Sequence, residues 1–252
     1  NIPKDWKLFL SREENKAALA KHYTEYIIAH AGSTLRQGQE IFLSGGHDDV
    51  CNVVDFNGHL GVSREQVCEA LQSNHEESDT RIILHAMYAA RNGVQRLVIK
   101  SPDTDVLVLF LHHRTSIPAA EIFFATGHEG KHESRKRYIP VHTPHQLLSQ
   151  SQLRVMLSMY CLTGCDSVRT FCGHGEAKAF RLMMQKSDQF QGLELLGTKP
   201  DVTKQDQTVA MSFIAKMYGH ECVSLNKLRC RMAKAKNKKM VGKKLPPTDR
   251  KS

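Results

Sequence analysis

The stretch Leu97-Val-Ile-Lys-Ser-Pro-Asp-Thr-Asp-Val-Leu-Val-Leu-Phe-Leu111 joins two apolar runs through a turn that carries two aspartates. The first run, Leu97-Val-Ile99, is apolar on both faces, which is typical of a central strand buried on both sides. Pro102 stops that strand because proline lacks a backbone donor for a sheet. Asp103 and Asp105 therefore follow the strand directly, at the edge of the sheet where α/β proteins bind ligands.

Strands and helices alternate on both sides of this stretch. Further strands are predicted at 39–43, 121–125 and 137–140, from apolar runs bounded by turn residues. Helical periodicity predicts helices at 1–30, 73–93, 143–150, 152–162, 175–186 and 207–219. The alternation predicts an α/β fold, with a mostly parallel central sheet flanked by helices and a C-terminal helical region.

The same patterns divide the chain into four segments. Residues 1–72 hold a helix, a strand and a loop, with 44–60 loop-like because they are rich in Gly, Asp and Asn. Residues 73–186 form the α/β core and 187–226 the C-terminal helices. Residues 227–252 form a basic tail, interpreted as a helix end that continues into disorder.

Charge is concentrated in that tail. The net charge of the chain is +9, and residues 227–252 contain eleven Lys or Arg and one acid. Such a run can attract nucleic acid or serve as a nuclear import signal, so nucleic-acid binding and a nuclear location are expected. No apolar stretch reaches the roughly 20 residues of a membrane span, so no membrane partner is expected. Seven cysteines without a signal peptide favour reduced thiols.

Carboxylates occur at three junctions where a strand or loop meets a helix. They are Glu77 and Asp79, Asp103 and Asp105, and Asp166 in Leu162-Thr-Gly-Cys-Asp166. Carboxylate oxygens are the preferred ligands of hard divalent cations. An Asp-x-Asp pair after a strand can direct two oxygens toward one metal ion, so these five residues are the candidate metal ligands.

Simpler explanations exist for individual acids. Asp103 can cap the helix that follows it, although capping explains one aspartate and not both. Ser73 and Glu76 form a capping box that predicts a helix start at Ser73. Glu77 and Asp79 then lie at the positive end of the helix dipole, which also accounts for their charge.

A glycine turn follows the last acid. Gly173 and Gly175 precede a predicted helix, whose N-terminal amides can hold a phosphate, with Lys178 as the nearest base. A zinc site formed by Cys161, Cys165, Cys172 and His174 is less favoured, since zinc sites usually have tighter paired spacings.

The order of these motifs resembles the flap-endonuclease, or PIN-like, nuclease superfamily. The segments 74–82, 101–108, 137–141 and 162–166 are similar to those of uncharacterised animal proteins linked to mobile elements. The resemblance implies one or two Mg²⁺ or Mn²⁺ ions bound by Glu77, Asp79, Asp103, Asp105 and Asp166. It also implies that the turn at Gly173, Gly175 and Lys178 binds a nucleic-acid backbone, DNA rather than RNA.

The resemblance further implies an acid on a first strand that does not precede Asn1, so the chain is expected to be a fragment. Two functions follow. The first is a divalent-metal-dependent nuclease that hydrolyses phosphodiester bonds through the five acids. The second is a catalytically inactive nucleic-acid-binding remnant of such an enzyme. A phosphatase with Asp103 as nucleophile fits less well, because Val106 and Leu107 follow the pair.

Overall fold

The computed structural model describes residues 3–31, 34–44, 51–55, 64–73, 78–127, 136–164, 171, 173–221, 224–235 and 245–248. The chain divides into two compact units. The first comprises residues 1–97 and 117–119, and the second comprises residues 98–116 and 120–252. The boundary between the units falls inside a strand, and the boundaries that the sequence suggested after residues 72, 186 and 226 stay predictions.

The first unit contains three helices and one antiparallel sheet among its described residues. The helices are α1 (Trp6–Leu10), α2 (Glu13–Ala31) and α3 (Ser78–Arg91), with a short 3-10 helix at Glu69–Leu71. The strands are β1 (Glu40–Ser44), β2 (Cys51–Asp55) and β3 (Arg64–Val67), in the order β1-β2-β3. The prediction of a loop over 44–60 is wrong at β2, whose backbone pairs with β1.

Helix α3 packs on one face of β1. The rings of Phe42 and Tyr88 meet edge to face with centroids 5.5 Å apart. Two residues further along β1, the hydroxyl of Ser44 lies 2.5 Å from Nε2 of His85. Burial lowers the pKa of His85, and the nearby charge of Arg81 lowers it further, so the ring is neutral at pH 7.

Helix α3 ends at a glycine, as helix-capping preferences predict. The helix ends at Arg91, and Gly93 follows with a φ of 93°. The amide of Gly93 donates to the carbonyl of Ala90, and that of Val94 donates to Ala89, which is the Schellman arrangement. At the other end, the described part of α3 begins at Ser78, and positions 74–77 of the predicted capping box lie outside the described residues.

The second unit is largely helical. Its helices are α4 (Thr104–His113), α5 (His142–Leu147), α6 (Gln150–Thr163), α7 (Glu176–Lys186), α8 (Lys204–Met217) and α9 (Leu225–Ala235). Short 3-10 helices occupy Arg114–Ser116 and Ser187–Leu195. Strands β4 (Arg96–Lys100), β5 (Glu121–Thr126) and β6 (Arg137–Pro140) form a mixed sheet in that order, with β4 beginning in the first unit.

The fold is therefore α/β, as predicted, with a small mixed sheet flanked by helices. The prediction of a mostly parallel sheet is not confirmed, because β5 and β6 run antiparallel, as do the strands of the first sheet. The prediction of a fully buried central β4 is wrong. The strand lies at one end of the described sheet, and the side chain of Val98 is 55% exposed.

Helix α6 is the centre of the second unit's core. It begins with a capping box, in which Ser149 and Gln152 satisfy each other's backbone amides. Its buried face includes Val155 and Met159, which pack with Phe190 and Phe213 from the elements that follow. The position of α6 matters for the site, since α4 and α7 both pack against it.

Candidate functional site

Asp103 and Asp105 lie where the sequence places them, at the junction of β4 and α4. Asp103 is the N-cap of α4, and its Oδ1 accepts a hydrogen bond of 3.0 Å from the amide of Asp105. Its own amide donates to the hydroxyl of Ser101 over 3.1 Å. The capping explanation is therefore confirmed for Asp103. The cap also holds the carboxylate in a defined orientation at the end of the strand.

The side chain of Asp105 binds a residue of another helix rather than capping α4. Its Oδ1 accepts a hydrogen bond of 2.6 Å from the hydroxyl of Tyr160, in the last turn of α6. Burial raises the pKa of Tyr160, and the bond to Asp105 and the charge of Glu176 raise it further. Tyr160 is therefore a protonated donor throughout the physiological range. This hydrogen bond connects the start of α4 to the end of α6.

The end of α6 leads toward the last predicted acid. Thr163 is fully buried, and its hydroxyl donates to the carbonyl of Tyr160 over 2.7 Å. Gly164 then ends the helix with a φ of 114°, a conformation that favours glycine. Asp166 follows two residues later and lies outside the described residues, as does Glu77.

Asp79 belongs to the other unit. It lies in the first turn of α3, where its charge is favourable at the positive end of the helix dipole. Asp103 and Asp105 belong to the second unit. Of the five predicted acids, the structure brings these two together, and the convergence of all five stays a prediction.

Three of the five predicted metal ligands, Asp79, Asp103 and Asp105, lie among the described residues. Across the parts of the chain that the structure describes, no group of three or more His, Cys, Asp or Glu is arranged to hold an ion. Asp103 and Asp105 supply two carboxylates, Asp79 lies in the first unit, and Glu77 and Asp166 lie outside the described residues. Binding of Mg²⁺ or Mn²⁺ by the five acids together stays a prediction. Of the residues considered for zinc, Cys161 is exposed, and Cys165 and Cys172 lie outside the described residues.

The glycine turn is ordered by contacts that the sequence does not reveal. Gly173 has a φ of 78°, and Gly175 is the N-cap of α7 without a side-chain cap. His174, between them, places its ring against that of Tyr218 with centroids 4.1 Å apart. Nζ of Lys178 donates to Nδ1 of His174 over 2.8 Å. Lys178, the predicted phosphate-binding base, is thus bound to a neighbouring side chain in this structure.

The charges of this turn are coupled. Burial lowers the pKa of His174, and the ammonium of Lys178 lowers it further, whereas a hydrogen bond to the backbone of Met217 opposes the shift. The pKa of Lys178 is lowered by burial and by Arg181. A neutral His174 that accepts a hydrogen bond from Lys178 and packs against the ring of Tyr218 keeps the turn attached to the end of α8.

An apolar cleft of about 320 Å³ opens between α4, α6 and α7. Its walls are almost entirely apolar, and Tyr160, Thr163 and Glu176 are the polar residues among those that line it. The other lining residues are Val108, Leu111, Met156, Met159, Ala177, Ala179, Phe180 and Met183. Tyr160 therefore has two roles, because its ring lines the cleft while its hydroxyl binds Asp105.

The basic segment contains a helix that packs on the core, and the continuation into disorder suggested by the sequence stays a prediction. Residues 225–235 form α9, which buries Leu225 and Leu228 in the core of the second unit. The guanidinium of Arg229 donates to the carbonyl of Pro246, so the chain beyond α9 also contacts it. The exposed side of α9 carries Lys227, Arg231 and Lys234.

Comparison of the chain with protein-family models, with curated proteins and with solved structures gives no match. Among the described helices, none combines the length and apolar character that crossing a bilayer requires.

Proposed function

We propose that the chain is a nuclease-like protein that hydrolyses phosphodiester bonds of DNA or RNA through carboxylates gathered near the start of α4. The observation that supports this proposal is the 2.6 Å hydrogen bond between Tyr160 and Asp105. It brings the Ser-Pro-Asp-Thr-Asp turn to the helix that leads into Leu-Thr-Gly-Cys-Asp166. A link between Asp105 and the helix that precedes Asp166 supports the proposal, because a shared carboxylate site needs these segments to lie close together.

In this proposal the five candidate acids bind the metal ion. Asp103 and Asp105 would hold Mg²⁺ or Mn²⁺ together with Glu77, Asp79 and Asp166. A divalent ion supplies positive charge to the scissile phosphate and lowers the pKa of a bound water. The cap at Asp103 and the hydroxyl of Tyr160 fix the orientation of the two carboxylates, which limits their movement before substrate binds.

The test is metal-dependent cleavage of labelled single-stranded and duplex DNA and RNA. The wild type should cut with Mg²⁺ or Mn²⁺ and stop with a chelator, and Asp105→Asn should lower the rate at least a hundredfold. Asp201→Asn is the matched control, because Asp201 is an exposed acid in a turn of the same unit. Equal rates for wild type and Asp105→Asn would show that the carboxylates have another role.

A second candidate function is nucleic-acid binding without hydrolysis, and the exposed basic residues of α9 support it. Under this alternative the chain binds nucleic acid without hydrolysing it, through the exposed Lys227, Arg231 and Lys234. Since each neutralised phosphate of duplex DNA contributes about −0.9 to the slope of log K against log salt, the three residues together should account for roughly −3.

That alternative is tested with charge-removing substitutions rather than with a truncation. Deleting residues 227–252 would remove the fully buried Leu228 and so disturb the core. Changing Lys227, Arg231 and Lys234 to Gln keeps α9 and removes its charge. Binding that shows the same salt slope before and after these changes would exclude α9 as the contact surface. The same surface, with the basic residues after it, supports the proposed nuclear location.

A further inference from the structure

The cleft between α4, α6 and α7 presents apolar surface to solvent and has the size of a small-molecule site. Its volume is about 320 Å³, and small-molecule sites occupy roughly 300–1,000 Å³. Phe180 in the lining is 50% exposed, whereas Met159 and Met183, which also line the cleft, are buried. Flexible methionine side chains adjust to ligands of different shape. The hydrophobic effect therefore favours an apolar ligand that replaces water in this cleft.

The hydroxyl groups of the lining already donate their protons within the protein. The hydroxyl of Thr163 donates to the carbonyl of Tyr160 over 2.7 Å, and that of Tyr160 donates to Asp105 over 2.6 Å. Among the described residues that line the cleft, Glu176 is the charged one, and its carboxylate only accepts hydrogen bonds. A ligand that carries its own N–H donors is thus better matched to these side chains than a ligand that needs donors.

The charges around the cleft favour a cation. Glu176 lines the cleft, and Asp105 adds a second carboxylate at the hydroxyl of Tyr160. Burial raises the pKa of Tyr160, and the charges of Asp105 and Glu176 raise it further, so both acids act on this ring. The bases of α7 nearest to Glu176 in the sequence, Lys178 and Arg181, are not among the residues that line the cleft.

Two aromatic rings in the lining, those of Tyr160 and Phe180, add to this preference. The face of an aromatic ring carries partial negative charge and attracts organic cations. An anion meets the carboxylate of Glu176, and a strongly hydrated metal ion would lose its water to apolar walls. The lining therefore selects a ligand that combines an apolar body with a positively charged amine.

We propose that this cleft binds a small amphiphilic amine, with its apolar body among Met159, Phe180 and Met183 and its ammonium group beside Glu176. The volume of the cleft is at the lower end of the range for small-molecule sites, which favours a free small molecule over a segment of a partner protein. The inference goes beyond the proposed hydrolysis, because none of the five predicted metal ligands lines the cleft.

The experiment compares three probes that share a phenyl ring and a short chain and differ in the head group: phenethylammonium, phenethyl alcohol and hydrocinnamate. Calorimetry with the full chain, without divalent ions or nucleic acid, measures the three Kd values. The ammonium should bind about tenfold more tightly than the alcohol, given one ion pair and one cation–π contact, and the carboxylate should bind more weakly than the alcohol. The probe is located by NMR of isotope-labelled methionine methyl groups. Signals of Met156, Met159 and Met183 should shift, and that of Met217, outside the lining, should not.

Two substitutions test the assigned contacts. Glu176→Gln should remove most of the preference for the ammonium over the alcohol and leave the Kd of the alcohol unchanged. Asp201→Asn is the control and should keep the preference, because Asp201 is an exposed acid of the same unit outside the lining. Phe180→Ala should weaken the binding of both probes, since it removes a ring from the lining.

The remaining outcomes overturn the proposal. They are equal affinity of the wild type for ammonium and alcohol, shifts that spare the three lining methionines, and binding of none of the probes. If an amphipathic Leu/Lys peptide shifts these methionines and the probes do not, the cleft belongs to a protein partner. The wild type alone supplies the comparison of head groups, so a folding defect in a variant cannot produce the result. Metal-dependent cleavage is measured separately, so either proposal can fail without the other.

Discussion

Replacing Tyr160 by Phe tests the contact on which the candidate site depends. The substitution removes the hydroxyl that donates to Asp105 over 2.6 Å and leaves the ring that lines the cleft. A hydrogen bond to a charged group contributes about 1.5–3 kcal/mol to stability. Both side chains are partly exposed, so the lower limit applies. We expect the free energy of unfolding to fall by about 1.5 kcal/mol, which corresponds to a drop in Tm of about 3–6 °C.

Urea and thermal unfolding measure this change directly. Tyr138→Phe is the matched control, because the side chain of Tyr138 is 59% exposed and such substitutions usually change stability by less than about 0.5 kcal/mol. A double-mutant cycle with Asp105→Asn isolates the pair, since two groups in contact give a non-additive loss. The reasoning is refuted if Tyr160→Phe is no more destabilising than the control, or if the two losses simply add.

The pH dependence gives a second readout of the same contact. The pKa of Tyr160 is raised in the folded protein, so the unfolded chain releases this proton first as the pH rises. The contribution of Tyr160 to stability is fully present below about pH 10, the pKa of tyrosine in the unfolded chain. It is lost as the pH rises through the higher pKa of Tyr160 in the folded protein. The stability difference between wild type and Tyr160→Phe should therefore shrink above pH ~10.

Three further predictions concern other parts of the chain. The pKa of His85 is lowered in the folded protein, so the unfolded chain binds this proton more readily. The free energy of unfolding of the wild type should therefore fall as the pH drops below about 6.5, and in His85→Gln that fall should be less steep. Gly173→Ala should lower the free energy of unfolding by about 1–2 kcal/mol, because the φ of Gly173 is 78°. Gly175→Ala should lower it less, because the φ of Gly175 is −91°, and chemical denaturation of both variants measures the difference. A Cβ on Gly192 would lie 2.9 Å from Cγ2 of Val209, so Gly192→Ala should lower the unfolding free energy by about 1–3 kcal/mol, and adding Val209→Ala should recover part of the loss.

Local chemistry explains the features that could be predicted correctly. Asp103 caps α4 because a short acidic side chain before a helix satisfies a free amide within two residues. Gly93 ends α3 because only glycine adopts a positive φ there at low cost. The strand over 97–99 and the helices near 152–162 and 175–186 follow from patterns that act over one or two turns.

Other features depended on partners that are far away in the sequence. Val98 looks like a core residue, and its exposure follows from the position of β4 at the end of the described sheet. The basic run from 227 looks like a solvated tail, but Leu225 and Leu228 find buried positions in the core built by preceding helices. Burial of an apolar residue depends on which elements surround it, and no local pattern contains that information.

The amino-acid sequence by itself determined the α/β alternation, the acids after β4 and the helix ends, because capping, turn geometry and periodicity act between close neighbours. The tertiary structure alone decided that Tyr160 binds Asp105, 55 residues away, and that the ring of His174 packs against that of Tyr218. It also created the cleft between α4, α6 and α7. These features need elements from separate parts of the chain to pack together, and packing is a property of the assembled core.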